Sequence, residues 1–524
     1  MARGGDPRTR PSLPCADLTR NRYLYALVFC VGTGSLGAEI AVARLMAPFF
    51  GASTIVWANT IATVLVALSA GYWLGGRLAD RDPTMRGLCR IVLAAGVLLA
   101  IVPFVANPLL RLAVKALDTI SAGAFIGSLL AVLALVAVPV LLLGTVAPYA
   151  IRLSVASVEE SGRISGRLYA ISTVGSLVGV FLAALALIPL IGTRRTFLVF
   201  ALALVTVAVV GLARRFALAP IAVAALLAIP VGTVRAGEDG RRVLYETETP
   251  YQFVQVLQDH DGERVLELNE GVAVHSVWRP GRYLTDNYWD PFLVLPFAAG
   301  RAAPPRSVAI LGNAGGTTAR AYGHFYPRTA IDAVEIDGKL TEIGRRWFGL
   351  TGPRLRTFTE DARPFLQASR RRYDAIFVDA YRQPYIPFQL TTREFFQEAS
   401  DHLSDDGVMV LNAGRYGTDY RLVEAIATTM KAVFPNVYLI DVGRFSNTMV
   451  IATKQPTDLA NYAPNIAQLP AGSPLRQVGD ASIQTGNIRA WNGGGLVFSD
   501  NRAPVELVID RLIIDAARHE TQNR

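Results

Sequence analysis

Cysteine, histidine and charged residues are all scarce in this chain of 524 residues. Its three cysteines, Cys15, Cys30 and Cys89, lie near the N-terminus, so they cannot form a disulfide framework or supply a catalytic thiol to the later part of the chain. The five histidines show no metal-ligand spacing, and we expect no metal site.

The chain is instead rich in long apolar runs. Only 18% of the residues are charged and 52% are hydrophobic, and the apolar excess lies before about residue 235. Seven runs there each approach the roughly 20 residues with which a helix crosses a bilayer. They lie near 23–47, 54–78, 90–110, 120–143, 168–191, 196–213 and 216–234. The core of a soluble protein could contain one such run. Seven in succession instead predict a polytopic helical membrane domain over 23–235, with the lipid bilayer as its partner.

Arginines cluster in the leader 1–22 and around the loop that follows the second apolar run. They are Arg3, Arg8, Arg10, Arg20 and Arg22, then Arg77, Arg81, Arg86 and Arg90. Such clusters mark cytoplasmic segments, so we expect a cytoplasmic leader and a multi-pass protein of the inner or plasma membrane. They also account for the net charge of +9. No basic stripe interleaves with aromatic residues, and no nucleic-acid partner is expected.

The number of spans does not settle on which side of the membrane the rest of the chain lies. Seven spans would place it outside the cell, whereas an enzyme that uses a cytosolic nucleotide belongs in the cytoplasm. Either one segment does not cross, with 216–234 or part of 120–156 the best candidates, or the second half is external.

The pattern changes after Arg235. Residues 243–257 and 264–269 alternate in strand fashion across a turn at 259–262, which predicts a small antiparallel β subdomain over 240–285. A helical segment over 287–299 should follow. A Rossmann-like α/β domain is expected over 286–455, with a C-terminal extension over 456–524.

Polar residues follow successive apolar strands in this α/β domain, where ligands of such sheets bind. The first strand passes into a loop with Gly312, Asn313 and Gly315. Glu335 comes 23 positions after Gly312, near the spacing at which an acid meets ribose hydroxyls. Asp361 ends the third strand and could accept a hydrogen bond from an adenine amino group. Together these predict an adenosine site. The glycine loop lacks the G-x-G-x-x-G register of dinucleotide dehydrogenases.

The order of these motifs resembles class I S-adenosylmethionine enzymes, and 240–455 more specifically resembles the aminopropyltransferase family of spermidine and spermine synthases. The segments that carry the resemblance are Thr249–Gln252, Val334–Asp337, Asp374–Asp379, Thr391–Phe396 and Leu403–Val408. The whole chain is similar to bacterial membrane proteins that join a transporter-like helical domain to a spermidine synthase domain. Glu39–Gly51 and the tail Leu496–Glu506 fit that group.

The resemblance implies decarboxylated S-adenosylmethionine as co-substrate, no permanently bound cofactor, and a polyamine amine such as putrescine as acceptor. Asp379 would be the catalytic base. The donor-binding residues implied are Gln252, Gly312, Asn313, Gly315, Glu335, Ile336, Asp361 and Ala362. The implied substrate-binding residues are Tyr288, Asp290 and Tyr381. A homo-oligomer is also implied, and Asp500 in the tail either reaches the pocket or caps the final helix.

Two acids typical of the family are replaced. Ala314 stands where the glycine loop usually carries an acid, and Arg382 stands at the second acid of the strand-end signature. Polyamines need carboxylates to pair with their charges. Two alternatives therefore stay open. One is a methyltransferase-type enzyme that uses ordinary S-adenosylmethionine on another acceptor, and the other is a polyamine transporter or sensor with a non-catalytic soluble domain.

Overall fold

The chain folds into a helical N-terminal half and an α/β C-terminal half in this computed structural model. The structure describes residues 15–50, 54–117, 123–155, 157–212, 216–229, 240–269, 273–300, 302–381, 385–415, 417–442, 446–484, 488–509, 511–512 and 515.

The N-terminal half is helical throughout its described residues. Its helices are α1 (Cys15–Phe50), α2 (Thr54–Arg81), α3 (Met85–Leu117), α4 (Gly123–Gly144), α5 (Val146–Ser154), α6 (Val158–Phe181), α7 (Ile188–Ile191), α8 (Thr193–Val210) and α9 (Leu218–Leu227), with a π-helical turn at Leu182–Leu187 between α6 and α7.

Six segments of this half are long and apolar enough to cross a membrane. They are Arg20–Phe50, Val56–Arg81, Met85–Ala113, Ile126–Ser154, Val158–Ile191 and Thr193–Val210. The seventh predicted run, 216–234, differs from them. Its described helix, α9, has ten residues, which corresponds to about 15 Å against a hydrocarbon core of about 30 Å. Of the two segments named as candidates not to cross, 216–234 therefore has the short helix within the described residues, whereas the other contains the long span Ile126–Ser154.

Glycines bring α1 and α6 into backbone contact. A Cβ on Gly175 would lie 2.3 Å from the Phe29 carbonyl oxygen, and one on Gly32 would lie 2.3 Å from the Ser172 carbonyl oxygen. The Thr33 hydroxyl donates a hydrogen bond of 3.0 Å to the Gly175 carbonyl oxygen across the same contact. Small residues permit this approach where apolar helices gain little from the hydrophobic effect.

A four-stranded antiparallel sheet opens the C-terminal half. Its strands, in sheet order, are β1 (Arg242–Glu248), β2 (Phe253–Gln258), β3 (Arg264–Leu268) and β4 (Val274–Trp278). This confirms the predicted antiparallel subdomain. The helix expected over 287–299 is instead a pair of 3-10 turns, Asp290–Leu293 and Leu295–Ala298. Pro291 and Pro296 lack the backbone N–H that a continuous α-helix needs.

The second sheet has eight strands flanked by helices. Its elements in chain order are β5 (Ser307–Leu311), α10 (Thr317–Phe325), β6 (Ala330–Glu335), α11 (Gly338–Trp347), β7 (Leu355–Thr359), α12 (Ala362–Ala368), β8 (Tyr373–Val378), α13 (Arg393–Asp401), β9 (Leu403–Gly414), α14 (Arg421–Lys431), β10 (Asn436–Asp441), β11 (Asn447–Thr453), α15 (Tyr462–Ala467), α16 (Pro474–Gln484) and β12 (Arg489–Ala490).

The strand order is β12-β10-β11-β9-β8-β5-β6-β7, in which β5 to β9 run parallel and β9, β11, β10 and β12 pair antiparallel. This mixed sheet confirms the Rossmann-like prediction. The chain moves outward from β5 through β6 to β7, and then returns to place β8 on the other side of β5. Such a reversal opens a crevice at the carboxyl ends of the two central strands.

The central strands are buried on both faces. Ile376 and Val378 of β8 pack into the core beneath α13 and α14, while Ala375 and Phe377 face the core beneath α10. The Tyr322 hydroxyl in that second core donates to the Phe292 carbonyl oxygen at 2.9 Å. Burial of both faces of the sheet holds the strand ends in fixed positions. The loops that follow these strands are therefore also fixed where they begin.

Gly312 lets the ends of β5 and β8 lie side by side. Its φ is +90°, and a Cβ there would lie 2.5 Å from the Ala380 Cα and 2.6 Å from the Asp379 carbonyl oxygen. Any other L-residue would be strained by this φ and would collide with backbone that cannot move easily.

We expect the substitution Gly312→Ala to destabilise the C-terminal half by about 1–3 kcal/mol, the usual cost of a strained backbone position. Thermal unfolding of the detergent-solubilised chain, followed by tryptophan fluorescence, measures the change. Gly323→Ala is the matched control, because open space surrounds Gly323 within α10 and alanine favours a helix interior. Equal melting temperatures for Gly312→Ala and the wild type would contradict the argument.

Candidate active site

A cavity of about 360 Å³ opens at the crevice between β5 and β8. Its walls come from the loops after these strands, the end of β9, the start of β11, the start of α10 and strand β4. Residues that carry its polar surface include His275, Tyr288, Asn313, Thr317, Thr318, Asp379, Tyr381, Asn412, Arg415, Ser446 and Asn447. Five predicted site residues therefore meet in one cavity: Tyr288, Gly312, Asn313, Asp379 and Tyr381.

Asp379 directly follows β8 and is oriented by two amides in series. The Asn412 side-chain N–H donates to Asp379 Oδ1 at 2.9 Å, and Asn447 donates to Asn412 Oδ1 at 2.9 Å. The second bond fixes which end of the Asn412 amide faces the carboxylate. Burial raises the pKa of Asp379 to about 7, although hydrogen bonds from Asn412 and Trp289 oppose this rise. The carboxyl group is therefore able to exchange a proton near neutral pH.

Two tyrosines border Asp379 as neutral phenols. The Tyr381 hydroxyl donates to the Asn412 carbonyl oxygen at 2.9 Å and accepts from the Gly414 amide at 3.0 Å. Burial, then the charge of Asp379, raises the pKa of both Tyr288 and Tyr381 well above the usual value. Neither phenol ionises at physiological pH, so Asp379 is the group suited to accept a proton here.

The glycine loop is tied to its neighbours through its backbone. The Ala314 amide donates to Glu335 Oε2 at 2.8 Å, and the Gly315 amide donates to the Ser276 hydroxyl at 2.8 Å. Ala314 itself adopts a φ of +45°, which is uncommon for a residue with a side chain. These bonds hold Asn313 at the cavity wall.

Two residues of this wall carry buried polar atoms without a hydrogen-bond partner. Both side-chain polar atoms of Asn313 are buried without a hydrogen-bond partner, and so is Nε2 of His275. Burial lowers the pKa of His275 to about 4, so its ring is neutral. Buried polar atoms normally have partners, and a ligand in the cavity would supply them.

Glu335 ends β6 beside this loop, and its carboxylate is buried. It accepts hydrogen bonds from the backbone amides of Ala314 and Asp337, the latter at 3.1 Å. Burial raises its pKa to about 7, against these bonds. The predicted residue Gln252 lies close by, because its side-chain N–H donates to Asp337 Oδ2 at 3.4 Å.

The other predicted donor residues lie along the same edge of the sheet but do not line the cavity. Asp361 follows β7 and caps α12 by accepting from the Arg363 amide at 3.0 Å. Ala362 is buried, whereas Ile336 is 39% exposed. Gly315 belongs to the glycine loop. Gln252, Glu335, Ile336, Asp361 and Ala362 thus form a row that continues from the cavity across the ends of β6 and β7.

The structure does not bring Asp290 to the cavity. Its carboxylate accepts from the Thr285 amide and hydroxyl, both at 2.9 Å, and from the Asp286 amide at 2.7 Å. These bonds close the turn before the first 3-10 segment. Asp500 is not among the cavity-lining residues; it pairs with Arg363 at 2.8 Å and accepts from Thr392 at 2.7 Å. Arg382 lies outside the described residues.

Sequence reasoning missed several cavity residues. His275, Asn412, Arg415 and Asn447 line the cavity but carry no recognisable motif. One signal was available for Asn412, since a polar residue near the end of the apolar strand β9 follows the same pattern as Glu335. No group of three or more potential metal ligands occurs among the residues that the structure describes.

Part of this chain is similar in sequence to known proteins. The model of the spermine/spermidine synthase domain matches residues 295–462. A polyamine aminopropyltransferase of Vibrio vulnificus is 33% identical over 222 residues, which are 40% of this chain and 71% of that protein. A probable polyamine aminopropyl transferase of Bifidobacterium longum is 30% identical over 292 residues. That match spans 52% of this chain and 64% of the relative, which is just under two thirds of its length.

The chain is also similar to a solved structure. The crystal structure of a probable spermidine synthase from Corynebacterium glutamicum is 18% identical and covers 49% of this chain and 96% of that one, with a TM-score of 0.39. Taken with the Vibrio relative, the matched domain shows that this chain belongs to the spermine/spermidine synthase family, a family of transferases.

Proposed function

We propose that the C-terminal half transfers an aminopropyl group from decarboxylated S-adenosylmethionine to an amine, with Asp379 as the base. One observation carries this proposal. A buried carboxylate with a pKa of about 7 lies in the wall of the cavity between β5 and β8, oriented by Asn412. The family resemblance implies putrescine as the acceptor, and the matched relatives are named for polyamine substrates.

The reaction requires positioning and one proton transfer. The amine lone pair attacks the propyl carbon next to the sulfonium, the new N–C bond forms, and the C–S bond breaks with its electrons going to sulfur. Methylthioadenosine leaves as a neutral thioether, and Asp379 takes the proton that the nitrogen releases. Holding both reactants in line supplies most of the acceleration in such a displacement.

The row at the ends of β6 and β7 fits the adenosine of the donor. Glu335 is placed to accept hydrogen bonds from ribose hydroxyls, and Asp361 and Ala362 border the position of the adenine. Asn313, whose buried side-chain polar atoms have no hydrogen-bond partner, lines the same cavity as Asp379. The reactive carbon would then lie beside Asp379.

Asp379→Asn is expected to lower kcat by about 10²–10⁴-fold, the usual contribution of a general base. In the wild type, protonation of Asp379 below about pH 7 removes the base. Below about pH 7, protonation of Asp379 should therefore lower log kcat/KM by about one further unit for each pH unit. Steady-state assays of methylthioadenosine release between pH 5 and 9 test both effects.

The asparagine variant should lose the contribution of Asp379 to this pH dependence, because its amide does not titrate, and keep only that of Glu335, whose pKa is also about 7. Asp405→Asn is the matched control, since Asp405 is exposed on β9 and should keep the wild-type profile. An unchanged turnover in Asp379→Asn would remove Asp379 as the base. Release of S-adenosylhomocysteine from ordinary S-adenosylmethionine would instead establish the methyltransferase alternative.

Glu335→Gln is expected to weaken donor binding by about tenfold to a hundredfold, because hydrogen bonds to a charged group contribute about 1.5–3 kcal/mol. Calorimetric titration with methylthioadenosine at pH 8 measures this, since Glu335 is ionised above its pKa of about 7. Glu342→Gln serves as the control, because Glu342 is exposed and pairs with Lys339. Equal affinities in the two variants would rule out the ribose contact.

We also propose that the protein is a multi-pass membrane protein with the leader 1–22 and the C-terminal half on the cytoplasmic side. Six long apolar helices over 23–235 support this, because an even number of spans returns the chain to its starting side. The arginine clusters place that side in the cytoplasm.

Epitope tags at the two termini test this topology in intact and permeabilised bacterial spheroplasts. Both tags should be protected from protease until the membrane is opened. A C-terminal tag that is cleaved in intact spheroplasts, while the N-terminal tag is protected, would show an odd number of crossings and overturn the proposal.

A further inference from the structure

The cavity has an unusual charge balance for a site that would hold a diamine. Among its described lining residues, Asp379 is the one carboxylate and Arg415 is the one fixed cation. The remaining polar groups are neutral hydroxyls, amides and the His275 ring. Asp379 is assigned to the attacking amine, which leaves no described lining carboxylate for a second ammonium.

Arg415 is held at the end of β9 by neighbours outside the cavity lining. Its Nε lies 3.8 Å from Asp441 Oδ1, and its guanidinium also donates to the Gly417 carbonyl oxygen. The side chain is 15% exposed, so its charge acts in a partly desolvated setting. A fixed guanidinium of this kind is a preferred partner for a carboxylate, which it can bind through two parallel hydrogen bonds.

Asp441 does not offset this charge for a ligand. Its carboxylate accepts from the Thr448 hydroxyl at 2.6 Å, the Tyr420 hydroxyl at 2.7 Å and Arg489 Nη1 at 2.8 Å. It lies between the guanidinium groups of Arg415 and Arg489, so these three groups together carry one net positive charge. A second ammonium in the cavity would meet like charge rather than an acid.

Apolar side chains complete the same cavity. Leu422 of α14, Ile509 and Leu512 line it together with the aromatic rings of Tyr288 and Trp289. Such walls suit a chain of methylene groups and give nothing to a charged group. The lining thus offers an acid for one amine, apolar surface for a short spacer and a guanidinium for an anion.

From this lining we infer that the acceptor is an ω-amino carboxylate, with its amine at Asp379 and its carboxylate at Arg415, rather than a diamine. The inference rests on the proposed aminopropyl transfer and names the acceptor class. The bonds formed and broken are those of that transfer. The N–C bond replaces the C–S bond, the proton passes to Asp379, and the acceptor carboxylate takes no part in the chemistry.

Matched acceptor pairs test the inference on the full-length protein in detergent. Putrescine and 4-aminobutyrate have the same four-carbon chain, and cadaverine and 5-aminopentanoate have the same five-carbon chain. The two members of each pair differ only in the distal group. With decarboxylated S-adenosylmethionine as donor, we expect that in one of the two pairs kcat/KM is at least about tenfold higher for the amino acid than for the diamine. A tenfold preference corresponds to about 1.4 kcal/mol.

Arg415→Gln should then raise KM for the amino carboxylate by at least about tenfold with little change in kcat, because the contact is equal in ground and transition states. The same variant should not weaken turnover of the diamine. Arg489→Gln is the matched control, since Arg489 also pairs with Asp441 but does not line the cavity. Methylthioadenosine titration and thermal unfolding show whether each variant keeps its donor site and fold.

The outcomes separate this inference from the proposed function. Preferential turnover of the diamines would overturn the acceptor class while aminopropyl transfer stands. If turnover depends on Arg415 when ordinary S-adenosylmethionine is the donor, Arg415 would bind the carboxylate of the donor. This result would also overturn the inference. Absence of methylthioadenosine with every acceptor, despite donor binding, would overturn the proposed function itself. A loss in Arg489→Gln equal to that in Arg415→Gln would show an indirect effect through Asp441 and reject direct contact.

Discussion

The backbone contact between the ends of β5 and β8 is the constraint on which the site depends. Gly312 has no side chain and adopts a positive φ, so its main chain lies against Asp379 and Ala380. The Asp379 amide donates to the Leu311 carbonyl oxygen at 2.9 Å across this contact. The glycine loop and the carboxylate therefore meet at the strand reversal and border one cavity.

Burial then sets the chemistry of that cavity. The pKa of Asp379 and that of Glu335 both rise to about 7, because each carboxylate is buried and accepts its hydrogen bonds from neutral N–H groups. The neighbouring tyrosines and His275 stay neutral for the same reason. Among the described lining residues, the guanidinium of Arg415 has a large influence on which ligand fits, since few other charges there compete with it.

The helical half follows different physics. Its helices have apolar outer surfaces, and close contacts such as that of Gly175 with Phe29 rely on the absence of side chains rather than on hydrophobic burial. The two halves of the chain thus use glycine for the same physical purpose, a close backbone approach. In one half the approach joins helices, and in the other it assembles a site.

Much of the architecture could be predicted from local patterns. Apolar runs of bilayer length, alternating strands before residue 280 and the buried strands from Ser307 are periodic features, and they predicted the helical half, the antiparallel sheet and the Rossmann-like sheet. Strand-end polarity also singled out Asp379 and Asn313, which the structure places in one cavity. The helix over 287–299 was wrong because two prolines favour short 3-10 turns.

The contacts between distant side chains became visible in the folded chain. Asn412 and Asn447 orient Asp379 across three strands, His275 enters from the smaller sheet, and Asp290 turns instead to its own loop. Most strands and helices could be predicted because their formation depends mainly on neighbours along the chain. The partners of each polar group depend on which strand ends pack together, and this is settled only when both faces of the sheet are buried.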